Sequence, residues 1–155
     1  MKIMDFLSKK SILADLKSTK KEDVIRELVD LLINAGELDK NCRGKVLEAL
    51  MERESLGSTA IGQGIAIPHA KSDCVSKLVG AFALSKKGVD FDSLDGEPVY
   101  IFFLLLAAQD SAGPHLKALA RISRLFKDKY FRDNLRKAED EKEIIRVISL
   151  EDDKM

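Results

Sequence analysis

Short apolar, β-branched segments interleaved with longer segments of helical spacing predict an α/β fold. Three observations carry this. The run Val-Tyr-Ile-Phe-Phe-Leu-Leu-Leu over residues 99–106 is apolar without alternation, the pattern of a central strand covered on both faces. A second largely apolar strand is predicted over residues 78–84, with a short extended piece at Val89-Asp90-Phe91. Around these lie stretches in which apolar residues recur at helical spacing, such as Val24, Ile25, Leu28, Leu31 and Leu32.

Taken in order, residues 1–18 predict a helical turn or loop and then a short edge strand. Thr19-Lys20-Lys21-Glu22 has the form of a capping box, with Thr19 as N-cap of the first helix. Gly36 ends that helix, because glycine accepts the left-handed conformation. A second helix is expected from near Asn41 to near Glu54, with Val46, Leu47, Leu50 and Met51 on one face. Arg53 falls in its last turn, where the helix dipole also favours a cation. Ile65-Ala66-Ile67 reads as a short strand leading to Pro68, which holds Ile67 extended and leaves His69 at a strand-to-loop corner. Asp95-Gly96 marks a turn. Pro114 fits the first position of a helix, with His115 just inside. Helical segments over 128–137 and 139–148 follow, and the polar residues 151–155 are expected to fray.

The 155 residues suit one domain, spanning 1–155 with a core near 5–150. A chain of this size buries roughly 68–70% of its unfolded surface. Lys plus Arg equals Asp plus Glu at 26 each, so the balance asks for neither nucleic acid nor an anionic membrane. The cluster Arg121, Arg124, Lys127, Lys129, Arg132, Arg136 and Lys137 is interleaved with acids and reads as the solvated side of two helices. The first twenty residues hold no signal-peptide core, and the run from Val99 is too short for a bilayer span of about 20 residues. A cytoplasmic protein without membrane insertion is expected. Cys42 and Cys74 form no C-x-x-C and are expected to be reduced thiols without a role.

The chemistry concentrates in residues 53–71, Arg-Glu-Ser-Leu-Gly-Ser-Thr-Ala-Ile-Gly-Gln-Gly-Ile-Ala-Ile-Pro-His-Ala-Lys. This stretch holds three of the nine glycines and one of the two histidines. Glycines let backbone approach a ligand or partner closely. Ser58 and Thr59 add hydroxyls, Arg53 and Lys71 add cations, and His69 adds a nucleophilic nitrogen. Such a set suits an anionic group arriving at nitrogen, and phosphoryl transfer to His69 is the leading expectation. Both histidines follow prolines, at Pro68-His69 and Pro114-His115. If the strands ending at Ile67 and Leu106 are neighbours, the two rings meet at one edge of the sheet. Arg53, His115 and loop amides are then the candidates to surround the phosphoryl oxygens.

Rival chemistries find less support. Two histidines with Asp73 or Asp110 could bind zinc, but no H-x-x-x-H or clustered Cys/His spacing occurs, so no metal is expected. Neither a G-x-x-x-x-G-K-[ST] phosphate loop nor a G-x-S-x-G elbow is present, and no cofactor is expected.

The motif Arg53-Glu54-x-x-Gly57-Ser58-Thr59-x-Ile61-Gly62-x-Gly64-Ile65-Ala66-Ile67-Pro68-His69-x-Lys71 resembles the signature of the IIA domain of the phosphoenolpyruvate-dependent phosphotransferase system, fructose/mannitol class. That class includes the nitrogen-regulatory IIA proteins. Asp92-x-x-Asp95-Gly96-x-Pro98-Val99 and His115-Leu116-x-x-Leu119 are similar to it as well, and the resemblance covers about residues 5–150. Ala70 stands where many members have glycine. The resemblance implies an α/β domain with a mixed central sheet flanked by helices on both faces. It implies that His69 is phosphorylated on Nε2 by the phosphocarrier HPr or its nitrogen-branch paralogue, with His115 and Arg53 assisting. Two roles are implied: a regulatory nitrogen-type IIA that acts on target proteins, or a free-standing sugar-specific IIA subunit that passes phosphate to a IIB domain. The central motif resembles the nitrogen-regulatory members closely, and no IIB-like segment follows, so the regulatory role is the expected one.

Overall fold

The computed structural model describes residues 1–155. A single mixed sheet is built from β1 (Leu7–Leu13), β2 (Ala60–Gly62), β3 (Ile65–Ala66), β4 (His69–Ser72), β5 (Val79–Val89) and β6 (Val99–Ala108). The strand order is β1-β5-β6-β3-β2, with β4 also pairing β6. β5 and β6 are antiparallel at the centre, while β3 and β4 both run parallel to β6 along its other side. β1, parallel to β5, is the expected edge strand.

β6 shows why an unalternating sequence forms a strand. Phe102, Leu104 and Leu106 point into one core, with α1 (Lys21–Asn34) and α2 (Arg43–Ser55). Ile101, Phe103 and Leu105 point into the other, with α3 (Ala112–Leu125), α4 (Lys129–Lys137) and α5 (Glu141–Asp153). Successive strand side chains face opposite ways, so a sheet buried on both sides needs apolar residues at every position. The mixed sheet with helices on both faces is thus the architecture expected. Truncating fully buried Phe103 to alanine would cost about 3–5 kcal/mol.

Several local expectations are revised. The first helix begins at Lys21 with Lys20 at the cap and no side-chain capping bond, so Thr19 closes no capping box. Lys20 is drawn instead into a parallel bridge with Asp90. Gly36, at φ +78°, does end α1, and the Gly36 and Glu37 amides donate to the Ile33 and Leu32 carbonyls. α3 starts two residues before Pro114, at Ala112, which still leaves proline's missing N–H within the unpaired first turn. β5 runs through Val89 rather than ending at Leu84.

The expected fray at the C-terminus is absent. α5 continues to Asp153, because Asp152 is 2% exposed and bonded. Its carboxylate accepts from the Ile3 amide at 2.6 Å and from Arg121 Nε at 2.7 Å. Arg121 therefore leaves the solvated basic cluster. The two cysteines are also revised. Cys42, at the N-terminus of α2, and Cys74, just past β4, have Cα atoms 6.1 Å apart and form a disulfide. Their separation of 32 residues says nothing about distance once α2 packs along β4. The Lys45–Asp73 pair at 2.9 Å joins the same two segments.

Candidate functional site

Residues 56–68 connect α2 to β4, and their own bonds decide their shape. Gly62, Gln63 and Gly64 all have positive φ, at 104°, 60° and 80°, which turns β2 back into antiparallel β3. Asp95 holds this hairpin by accepting from the Gln63 amide at 2.9 Å. That bond first, with the Glu97 amide and Ser93 hydroxyl, keeps the Asp95 carboxyl below the usual carboxylate range. Ser58 donates to the Phe91 carbonyl at 2.7 Å, and Thr59 donates its hydroxyl and its amide to Glu54. The hydroxyls expected to meet an anion are therefore spent inside the loop. The Ala60 amide, bonded to Ser58 Oγ, is spent in the same way. The loop's hydroxyls and the Ala60 amide are thus already engaged by the protein itself.

β3 and β4 both follow β6, and the break between them falls at Ile67-Pro68. His69 is thus the first residue of a strand rather than the end of one, opposite Leu105. Its Nδ1 lies 2.8 Å from the Ile67 carbonyl. A carbonyl only accepts, so Nδ1 carries the proton and Nε2 holds the free lone pair. The ring is half-buried. Burial is the main cause that holds its pKa below the ordinary value; the Arg53 guanidinium adds to it, while the Ile67 carbonyl and Glu54 oppose it.

His115 lies in the first turn of α3, the helix that follows β6, and is 6% exposed. The two ring centroids are 5.5 Å apart with planes at 76°. The predicted meeting of the two histidines at one sheet edge therefore occurs. His115 Nε2 is buried without a hydrogen-bond partner. Burial, then the neighbouring His69 and Lys71, lower its pKa. Both rings are consequently neutral near pH 7.

Arg53 occupies the last turn of α2 and donates to the Gly57 carbonyl at 2.8 Å. Its charge reaches His69. Exposed apolar side chains occur on or next to these segments: Leu56 and Ile61 in the loop, Leu94, whose amide donates to the Ala60 carbonyl, and Leu116 beside His115, with Leu56 81% and Leu116 68% exposed. Asp73 is engaged by Lys45, and nowhere do three His, Cys, Asp or Glu side chains gather as metal ligands would. A cleft of about 540 Å³ beside α1, lined by Asp23, Arg26, Glu27 and Asp30 among others, includes neither histidine.

Sequence reasoning assigned no role to Glu54, although it sits beside Arg53. Its side chain is almost fully buried, bonded to Thr59 and paired with Lys21 Nζ at 2.8 Å. One signal was available: Lys21 is a cation in the first turn of α1, against the helix dipole, and such a placement calls for a partner.

Residues 5–150 match the family described as phosphoenolpyruvate-dependent sugar phosphotransferase system, EIIA 2. The chain belongs to this family. A nitrogen regulatory protein of Bradyrhizobium diazoefficiens is 41% identical over 150 residues, 97% of this chain and 96% of that protein. The fructose-specific EIIABC component of Bacillus subtilis is 44% identical over 152 residues, 98% of this chain but only 24% of that protein. Among solved structures, the nitrogen regulatory protein IIA-Ntr of Neisseria meningitidis superposes with a TM-score of 0.85 at 33% identity, covering 94% of this chain and 98% of that one. The mannitol IIA of Escherichia coli shares the fold, with a TM-score of 0.76 at 21% identity over 90% of this chain and 96% of that one. The EIIA chain is thus flanked by relatives with two kinds of name, regulatory and sugar-specific. No helix in it is long and apolar enough to cross a membrane.

Proposed function

We propose that this EIIA protein is a cytoplasmic phosphoryl carrier that works as one unit over residues 1–155, with His69 Nε2 as the acceptor. The observation that carries the reading is the bond from His69 Nδ1 to the Ile67 carbonyl, which leaves the Nε2 lone pair free on a neutral ring. The donor is a histidine-phosphorylated carrier protein, HPr or its nitrogen-branch paralogue. The Nε2 lone pair attacks phosphorus in line, a new N–P bond forms, and the donor imidazole leaves with the electrons of the old one. As positive charge builds on the His69 ring, the Ile67 carbonyl receives a stronger hydrogen bond. His115, whose Nε2 has no partner in the resting protein, donates to a phosphoryl oxygen through that atom. Arg53 swings from the exposed Gly57 carbonyl to another oxygen. Leu56, Ile61, Leu94 and Leu116 form the apolar rim on which a protein donor docks.

Downstream, the regulatory role is the main reading. The match to IIA-Ntr at 33% identity and to a nitrogen regulatory protein at 41% favours it. In that role the phosphorylation state of His69 switches binding to target proteins. The 44% identity to a fructose-specific component favours the second reading, a sugar-type IIA subunit that passes the group to a IIB domain.

The test is an intact-mass measurement with phosphoenolpyruvate, enzyme I and HPr. One added phosphoryl group, lost on brief acid treatment and absent in His69→Ala, is expected. Uptake by the variant would sink the assignment. Adding IIB domains then separates the two readings, since only a sugar-type subunit empties onto one.

A further inference from the structure

Glu54 is a buried carboxylate that the transfer chemistry above does not use. Its neighbours form a line toward the acceptor. Lys21 Nζ meets Glu54 Oε2 at 2.8 Å. Glu54 accepts from the Thr59 hydroxyl and, at 3.2 Å, from the Thr59 amide. The Thr59 carbonyl accepts from the Ile67 amide at 3.1 Å. The Ile67 carbonyl accepts from His69 Nδ1. Glu54, Thr59 and Ile67 are 7%, 3% and 4% exposed, so water cannot readily replace these partners.

We infer that Glu54 is a positioning residue, which with Lys21 sets the tautomer and ring orientation of His69 through Thr59 and Ile67. This rests on His69 as the phosphoryl acceptor. A peptide unit that must present its carbonyl to an imidazole has to be fixed in rotation. The Ile67 carbonyl lies in the Ile67–Pro68 unit; the preceding unit, which carries the Ile67 amide, is held by the Thr59 carbonyl and fixes the backbone from which that carbonyl projects, while Thr59 is fixed on both its amide and its hydroxyl by one carboxylate. Pro68 brings no N–H to the Ile67–Pro68 unit, so its nitrogen side has no hydrogen bond of its own, and on the far side the Pro68 carbonyl accepts from the Leu105 amide at 2.9 Å. Lys21 gives the buried carboxylate an ion-pair partner: its ammonium group, 4.8 Å from the Phe91 ring centroid, is held at the same place.

The experiment uses the full chain and reads the His69 ring by ¹⁵N NMR, alongside the rate of phosphoryl uptake from phospho-HPr. In the unaltered chain Nδ1 is protonated. Glu54→Ala is expected to raise the share of the Nε2–H tautomer and to slow uptake about 10-fold or more. Glu54→Gln keeps an acceptor oxygen for Thr59 and is expected to restore part of both. Thr59→Val preserves shape and the amide but loses the hydroxyl, and should shift the tautomer in the same direction; it decides the matter if Glu54→Ala fails to fold. A folded Glu54→Ala or Thr59→Val chain with an unchanged Nδ1–H ring overturns the inference, whatever happens to the rate. If the unaltered chain takes no phosphate, the acceptor reading falls, while the tautomer measurement still judges Glu54.

Discussion

The two proline–histidine corners begin alike and end in opposite states. Each follows a strand of the central sheet, and each ring has a pKa lowered chiefly by burial. Yet His69 has its Nδ1 bonded to a carbonyl of its own chain, two residues back, and remains half-exposed. His115 is buried, and its Nε2 is bonded to nothing. A strand entry presents its preceding carbonyl to the ring and orients it. A helix entry does not, because its carbonyls point along the helix. The corner that is satisfied at rest suits an acceptor; the corner left unsatisfied suits a donor waiting for an anion.

That contrast breaks most completely at His69. His69→Ala should abolish acid-labile phosphate, measured by intact mass. Arg53→Ala should slow uptake about 10²–10³-fold. Its stability should change by less than about 1 kcal/mol, since the Gly57 carbonyl it leaves is exposed and can bind water. His115→Leu sharpens the comparison best. It removes a buried polar atom that has no partner, so the melting temperature should rise, by the equivalent of about 1 kcal/mol. Uptake should nevertheless fall about 10²-fold. The same change at His69 should bring no such gain, because that ring's buried nitrogen is already bonded.

Acid should act on both corners together. The folded-state values lie below the ordinary imidazole value of about 6.5, so below that pH the unfolded chain binds more protons than the folded one. The contribution of these rings to stability is complete above pH of about 6.5 and is lost as pH falls through the lowered values. Denaturant titrations across that window should show it, and His69→Ala with His115→Leu should flatten it. Uptake should fall on the same acid side, as Nε2 of His69 becomes protonated. The smallest effect on the site is expected from Cys42→Ser. The disulfide closes a loop of 32 residues, so its loss should lower stability by about 3–4 kcal/mol under oxidising conditions, with no difference in reductant. The uptake rate should stay within twofold of the unaltered chain.

Much of this was legible in the chain. The unalternating run at Val99 announced a strand with two buried faces, and Gly36 marked a helix end through its left-handed backbone. The proline before each histidine suggested corners that meet, and they do. Illegible features share a cause: each depends on a partner distant in sequence. Thr19 lost its cap because Lys20 found Asp90; residues 151–153 stayed helical because Asp152 found Ile3 and Arg121; Cys42 found Cys74. Ser58 and Thr59 looked like ligand donors because their type is visible in the sequence and their occupancy is not.

By itself, then, the sequence determined the central strand and the main helices, which of their faces are apolar, and which residue types could take part in phosphoryl chemistry; the short strands β2 and β4 were not among them. The features it determined follow from local periodicity, turn residues and residue type, all of which act within a few positions. Tertiary structure alone decided that Glu54 is buried beside Lys21, that the loop hydroxyls are already bonded, that His69 keeps its proton on Nδ1, and that His115 Nε2 has no partner. Hydrogen bonds and desolvation act over a few ångströms in space, and only the packing of α2, β4 and α3 around the end of β6 brings those groups within reach.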